Sequence, residues 1–490
     1  AKDFSKDTFF YSLGRVIPAG LNFIALALFT RMLRPEAFGN YQLIATSVFF
    51  VTAVFSGWLQ DSVRRYFQKF KLSGKINVFL SSFLRLSLPV ILVSTLVVFL
   101  YQYYFTADSI GIIFITVAFL LAYLSYANLQ AITQANLKAG LYAAYEIARA
   151  SLFLILSIVL FQFNRNYSSL ITALAITYTL LVLVLIFQTK VFKVLSFPKP
   201  NHKVTKELFA YGFPLFFWFL GSQILSVSDR FLLVYFKGAT DVGLYTSNYN
   251  FISSCLGLLT APILLAAQTN IMKLWALGEK EQSKKLVISA SYYYLLFTLP
   301  LLLIALLYSK DIISLALGAE YIDGHVIVPI VLMGFMINGL AMFVQKGYEL
   351  ENGTRIMACF LLISAGINVS LNLFFIRAYG YIGAAITTTI AYTLYLVLVS
   401  TGFKMSWKFT YPWKNLIKMG VTFIVIYAIL STFKPLSSLG RKVDITVSFI
   451  ATYVFSLLML RVLKDTFVLT LFNRLNIFFV LIFKNRLAKK

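Results

Sequence analysis

What most constrains this chain is that its apolar sequence comes in membrane-length blocks, roughly 18 to 25 residues at a time, with basic residues crowding every second connection. A helix of that length crosses about 30 Å of hydrocarbon. A membrane β-barrel would instead show short alternating strands. We place fourteen spans at 9–33, 41–63, 79–101, 110–135, 146–164, 168–189, 208–235, 245–271, 285–308, 326–346, 355–376, 380–402, 415–433 and 445–463. With 60% apolar residues, 12% charged residues and a mean hydropathy of +0.82, a water-soluble domain of 490 residues would lack the charge to cover its surface. The chain reads as an all-α polytopic membrane protein.

Lysine and arginine test this reading independently. With the N-terminus inside, 31 of them fall on inward segments, Arg149 among these, and 9 on outward ones; Arg15, Arg85 and Arg230 lie within spans. That asymmetry puts both termini and the loop around Lys199 in the cytoplasm, with Asp108 and Glu320 on the opposite side. The net charge of +25 is then explained by basic loops beside anionic membrane lipids and implies no nucleic acid partner. The first apolar run contains Ala25-Leu26-Ala27, but it is long and carries Arg15, so it reads as the first span and not as a signal peptide.

The longest polar interval runs from Lys190 to Glu207 and carries Phe197-Pro198-Lys199-Pro200-Asn201, the composition of a linker. It divides the chain into a six-helix lobe at 1–190, a basic cytoplasmic linker at 191–207, a second six-helix lobe at 208–402, an additional helix pair at 403–465 and an interfacial cytoplasmic tail at 466–490. The tail is placed on the membrane surface because Asn473, Arg474 and Asn476 interrupt its apolar stretch. An internal echo accompanies the division. Phe38-Gly39-Asn40-Tyr41 opens span two and Val242-Gly243-Leu244-Tyr245 opens span eight, at the same offset of 204 residues. Glycine suits a tight turn there and tyrosine an interfacial anchor. In a two-bundle transporter the echo means pseudo-symmetric halves around a central path.

The two cysteines and two histidines are scattered too widely for a zinc cluster, and no Walker loop or HExxH motif is present. We expect no metal, no cofactor and no enzymatic activity. Charges inside spans carry the functional argument, because a charge facing lipid costs about 3 kcal/mol or more and must snorkel, pair or face a hydrated cavity. Arg15 and Arg85 read as snorkelling or as cavity cations. Asp61 and Arg64 read as an intrahelical pair or as gate or coupling charges. Asp229, beside Arg230, is hardest to dismiss because acidic side chains snorkel poorly; it reads as a pair with Arg31 or Arg34, or as a gate or coupling group. Pro18, Pro89, Pro214, Pro262 and Pro300 are candidate kinks.

Three pieces together resemble a known family: Leu33 to Tyr41 (LRPEAFGNY), Ser228 to Leu233 (SDRFLL) followed by Val242 to Tyr245, and Tyr379 to Ala385 (YGYIGAA). The chain resembles the oligosaccharide flippase, or polysaccharide exporter, branch of the multidrug/oligosaccharidyl-lipid/polysaccharide exporter superfamily. The resemblance implies two six-helix lobes around a central cavity, plus the C-terminal pair. It also implies a flippase that moves undecaprenyl-pyrophosphate-linked oligosaccharide from the inner to the outer leaflet of the bacterial cytoplasmic membrane by alternating access. Its partners would be that lipid, a monovalent cation or proton for coupling, and polysaccharide assembly enzymes. The family's basic cavity matches Arg15, Arg31, Arg85 and Arg230 as a class of residue, and Asn22 and Asn250 are candidates for weaker contacts, together with Gln60, Gln134, Asn248 and Gln345. A peptidoglycan-precursor flippase and a cation-coupled exporter of small amphiphiles are the alternatives.

Overall fold

In hydrocarbon a backbone has no water to bond, so each apolar block must satisfy its own N–H and C=O groups and becomes a helix. The computed structural model describes residues 2–105, 109–136, 139–189, 201–351 and 353–402, with isolated helical positions between 417 and 428. Six helices form the first lobe: α1 (Lys2–Met32), α2 (Pro35–Leu72), α3 (Ile76–Phe105), α4 (Ile110–Ala135), α5 (Ala139–Phe163) and α6 (Ser168–Thr189). The second contains α7 (His202–Lys237), α8 (Ala239–Ala276), α9 (Lys280–Ala316), a 3-10 helix (Ala319–Val326), α10 (Ile327–Val344), the short α11 (Lys346–Leu350) and α12 (Thr354–Ser400). Among the described residues, 10 helices are long and apolar enough to cross a membrane. The expected pair at 415–433 and 445–463, the tail 466–490, and the positions Asp108 and Lys199 lie outside the described residues, save for those isolated helical positions.

Local chemistry sets the helix ends. Pro35 occupies the first turn of α2, where a missing N–H costs nothing, after an extended Arg34. Asn201 caps α7 by accepting from the Lys203 N–H at 2.9 Å, so α7 begins before the expected start at 208. Gly380, at φ +57°, breaks the 47 residues of α12 into expected spans eleven and twelve. Among the described residues a second internal break falls at Tyr308 in α9, whereas helical structure continues through Pro18, Pro89, Pro214 and Pro300.

Within the first lobe α1 packs on α5, α2 on α3 and α4, and α6 on α4 and α5; within the second, α12 packs on α7 and α10, and α9 on α8 and α10. The lobes meet where α2 lies against both α7 and α8, and α1 against α8. Under the offset of 204 residues, α1 corresponds to α7 and α2 to α8. The α1–α8 and α2–α7 seams therefore correspond by element order, with α2–α7 the more extensive, and α2–α8 pairs with itself, as an isologous interface requires.

The glycines of the echo sit on that self-paired crossing. A Cβ on Gly39 would collide with the carbonyl oxygen of Ala239, and one on Gly243 with that of Pro35. Ala239 is Pro35 shifted by 204, so each half makes the same contact on the other. Both glycines lie inside helices, and their role is close backbone approach rather than the tight turn expected from sequence. Tyr41 and Tyr245 are likewise buried in the core and not at a membrane surface. We call this end of the bundle, at the α1–α2 turn, the upper end.

Candidate substrate cavity

A cavity of about 270 Å³ opens between the lobes, with α1, α2, α5 and α6 on one side and α8 on the other. Its polar lining includes Asn22, Gln42, Arg149, Tyr178, Asn250 and Ser254. Arg149 lies ten residues into α5, about 15 Å from that helix's lower end, and Asn250 lies about 17 Å below the upper end of α8. The two walls thus converge near mid-bilayer depth.

Sequence reading starts span five at 146 and counts Arg149, three residues on, with the inward cations. The helix instead begins at Ala139 and carries the residue into the bundle. Glu146 and Arg149 are three residues apart and neutralise each other inside the helix. That spacing is the signal sequence reading passed over. Arg149 Nε donates to Glu146 Oε2 at 3.1 Å, with the two side chains 18% and 19% exposed. The Tyr126 hydroxyl donates to Glu146 Oε1 at 2.9 Å, and Gln130 Nε2 approaches the same oxygen at 3.5 Å. Behind them the rings of Tyr123 and Tyr126 pack on Tyr178 at 4.9 and 5.3 Å. A planar guanidinium held this way donates paired, charge-assisted hydrogen bonds well suited to phosphate oxygens.

The second polar centre lies in α7. Asp229, 2% exposed, accepts from the Tyr245 hydroxyl of α8 and from the Arg230 N–H at 2.8 Å. Arg230 reaches across the lobe boundary to Thr46 Oγ1 at 3.0 Å and lies over the Tyr249 ring at 5.5 Å. It ties α7 to α2 and does not line the cavity.

Residues 4–268, more than half of the chain, match the family described as Polysaccharide biosynthesis protein. The chain belongs to that family. It is 28% identical over 203 residues to a putative O-antigen transporter of Shigella flexneri, a match covering 40% of this chain and 47% of that one. It is 22% identical over 204 residues to a probable low-salt glycan biosynthesis flippase, Agl15, of Haloferax volcanii, covering 41% and 43%. The chain spans about half the length of the curated relatives it matches. Among solved structures its fold is similar to that of the lipid II flippase MurJ in an inward closed conformation, with a TM-score of 0.75 at 17% identity over 95% of this chain and 100% of that one. It is also similar to an inward-facing multidrug resistance MATE transporter, with a TM-score of 0.57 at 13% identity over 81% and 96%. This is a multi-pass membrane protein of the same two-lobed transporter fold.

Within this family fold, the residues expected at the site divide into two groups. Asn22 and Asn250 line the cavity, and Asn250 Nδ2 meets Gln42 Oε1 across the lobes at 3.5 Å. The arginines lie elsewhere. Arg31 is exposed at the upper end and donates to the carbonyls of Leu315 at 2.8 Å and Ala316 at 3.2 Å, closing the last turn of α9. Its guanidinium is thereby engaged with α9, and Asp229 bonds to Tyr245 instead of the pair expected with Arg31 or Arg34. Arg85 is exposed on the α3 face that carries Leu92 and Leu96. Asp61 and Arg64 form the expected ion pair in the lower half of α2, and Arg64 Nε also donates to Gln134 Oε1 at 2.8 Å. Arg15 is exposed, and both it and Arg64 lie within electrostatic range of Tyr142 in the first turn of α5. Tyr142, Glu146 and Arg149 follow one another on a single face of α5, which links the lower end, where Arg15 and Arg64 lie, to the cavity. Among the described residues no His, Cys, Asp and Glu cluster could hold a metal ion.

Proposed function

We propose that this protein flips a lipid-linked oligosaccharide, attached through undecaprenyl pyrophosphate, from the inner to the outer leaflet of a bacterial cytoplasmic membrane. The observation that carries the reading is Arg149, a guanidinium on the wall of a polar cavity between two lobes at mid-bilayer depth. A pyrophosphate and its sugars cannot cross hydrocarbon unaided. Arg149 contacts the pyrophosphate, Asn22 and Asn250 offer weaker contacts, and the polyprenyl tail stays in lipid. The charge asymmetry makes the lower end cytoplasmic, with both termini there, so Arg15 and Arg64 draw the anionic head towards the cavity from the leaflet where it is made. A cavity of about 270 Å³ is too small for a whole oligosaccharide unit, so loading requires the lobes to part at the lower end.

The family match and the relatives' names support a glycan lipid as cargo over a drug-like amphiphile, which would not need a guanidinium in the cavity. Asp229 biases the balance between inward- and outward-open states, with a monovalent cation or proton as coupling ion. The test is removal of the protein followed by identification of the lipid-linked intermediate that accumulates on the cytoplasmic face. Accumulation of an undecaprenyl-pyrophosphate oligosaccharide supports the reading. Accumulation of peptidoglycan precursor instead would make it a peptidoglycan-precursor flippase.

A further inference from the structure

The cavity's cation carries its own counter-anion. Glu146 Oε2 holds Arg149 Nε at 3.1 Å, and the carboxylate's other oxygen is fixed to α4 by the Tyr126 hydroxyl at 2.9 Å. Glu146 is not part of the cavity wall, whereas Arg149 is. An anion arriving in the cavity therefore meets the guanidinium from the open side, with the carboxylate behind it. Because Tyr126 and Gln130 anchor Glu146 to a neighbouring helix, the carboxylate stays in place when Arg149 turns towards a ligand, ready to take it back.

We propose that Glu146 is the exchange partner that makes anion binding at Arg149 reversible: it holds the guanidinium between loads and competes the phosphate off after each crossing. This rests on the reading of Arg149 as the head-group contact. The physical need is plain. A single unopposed guanidinium in a half-buried, water-poor site would bind a dianionic pyrophosphate tightly, because Coulomb attraction there is several times stronger than in bulk water. A carrier that binds so tightly releases slowly, and turnover then falls as affinity rises. A fixed carboxylate lowers the positive potential at the phosphate position, and its effect scales with ligand charge, so a pyrophosphate loses more affinity than a monophosphate. Glu146 is a positioning residue acting through Arg149 and touches no substrate itself.

The signature separates this role from a structural one, because binding and transport move in opposite directions. The full chain is reconstituted in nanodiscs of neutral phosphatidylcholine, and binding of undecaprenyl pyrophosphate and undecaprenyl phosphate is measured for wild type, E146Q and R149Q. Flipping of a fluorescent pyrophosphate-linked glycolipid is measured in liposomes alongside. In E146Q we expect pyrophosphate binding to tighten by about tenfold, monophosphate binding by less, and flipping to slow. Unchanged or weaker pyrophosphate binding in E146Q overturns the inference. If E146Q does not assemble, E146D is measured: it keeps the charge but sits farther from Nε, so about threefold tightening is expected, and weaker binding overturns the inference. R149Q tests the underlying reading separately. If R149Q binds both lipids as wild type does, Arg149 is not the head-group contact; if R149Q loses binding while E146Q leaves it unchanged, the exchange role of Glu146 alone fails.

Discussion

Gly39 and Gly243 each press bare backbone against the opposite lobe, one against the Ala239 carbonyl and the other against the Pro35 carbonyl, in contacts that repeat under a single shift of 204 residues. This makes the upper seam of the bundle a self-complementary crossing of α2 and α8, with backbone pressed directly on backbone. In the proposed cycle it is the seam that must open to release cargo outward.

A methyl group at either glycine meets a backbone atom, which no side-chain rotation relieves. We expect G39A and G243A to destabilise the closed seam by about 1–3 kcal/mol and to act alike, because the two positions are pseudo-symmetric. Spin labels on the upper ends of α2 and α8 should report longer distances in both variants. Wild-type distances in both would show that the crossing is not tight.

The Arg149 guanidinium supplies a planar fork, which lysine does not reproduce. R149A is expected to reduce flipping at least tenfold, and R149K to recover only part of it. R85A is expected to stay within about twofold of wild type, because Arg85 shares its face of α3 with exposed leucines, a position from which a long side chain can reach the head groups. Flipping measured in proteoliposomes of matched protein content checks the three together. Wild-type flipping by R149A would remove the residue from the site.

Asp229 accepts the Tyr245 hydroxyl in a buried setting that joins α7 to α8. Asparagine keeps the size and an acceptor but removes the charge. D229N should therefore shift the balance of inward- and outward-open states without unfolding the bundle, as read by spin labels on the upper ends of α1 and α7. An unchanged distance distribution together with unchanged transport would leave Asp229 a static charge.

The orientation has its own check. A cysteine introduced at Glu320, in the 3-10 helix, should react with an impermeant thiol reagent in intact cells, and one at Lys75, between α2 and α3, should not. The reverse pattern would invert the topology.

Most of the fold was legible in the sequence because hydrocarbon length and backbone satisfaction leave few choices: the first twelve expected spans each fall on a described helix, and Gly380 divides the eleventh from the twelfth. The echo at Gly39 and Gly243 was legible as a repeat but not as a contact, since sequence does not say which backbone a glycine faces. The site was harder to read for an electrostatic reason. Lone charges such as Arg15 and Arg85 stand out in an apolar run, yet both are exposed, Arg85 on the leucine-bearing face of α3. The charge that does line the cavity, Arg149, is masked by its own counterion one helical turn away and so was counted with the inward cations near the start of span five. Arg230 stands out in the sequence as a charge within a span and was expected at the cavity, but it bonds to Thr46, 184 residues away in the other lobe.

The central claim is that this chain carries a pyrophosphate-linked glycan lipid across a bilayer through the cavity at Arg149. The most direct measurement is the leaflet exposure of a fluorescent undecaprenyl-pyrophosphate-linked oligosaccharide in liposomes holding the purified full chain. Any cation or proton gradient is imposed in turn. The account expects label to appear in the opposite leaflet far faster than in protein-free liposomes, with R149A returning the rate to near that background. A wild-type rate equal to the protein-free rate under every gradient, or an R149A rate equal to wild type, would contradict it.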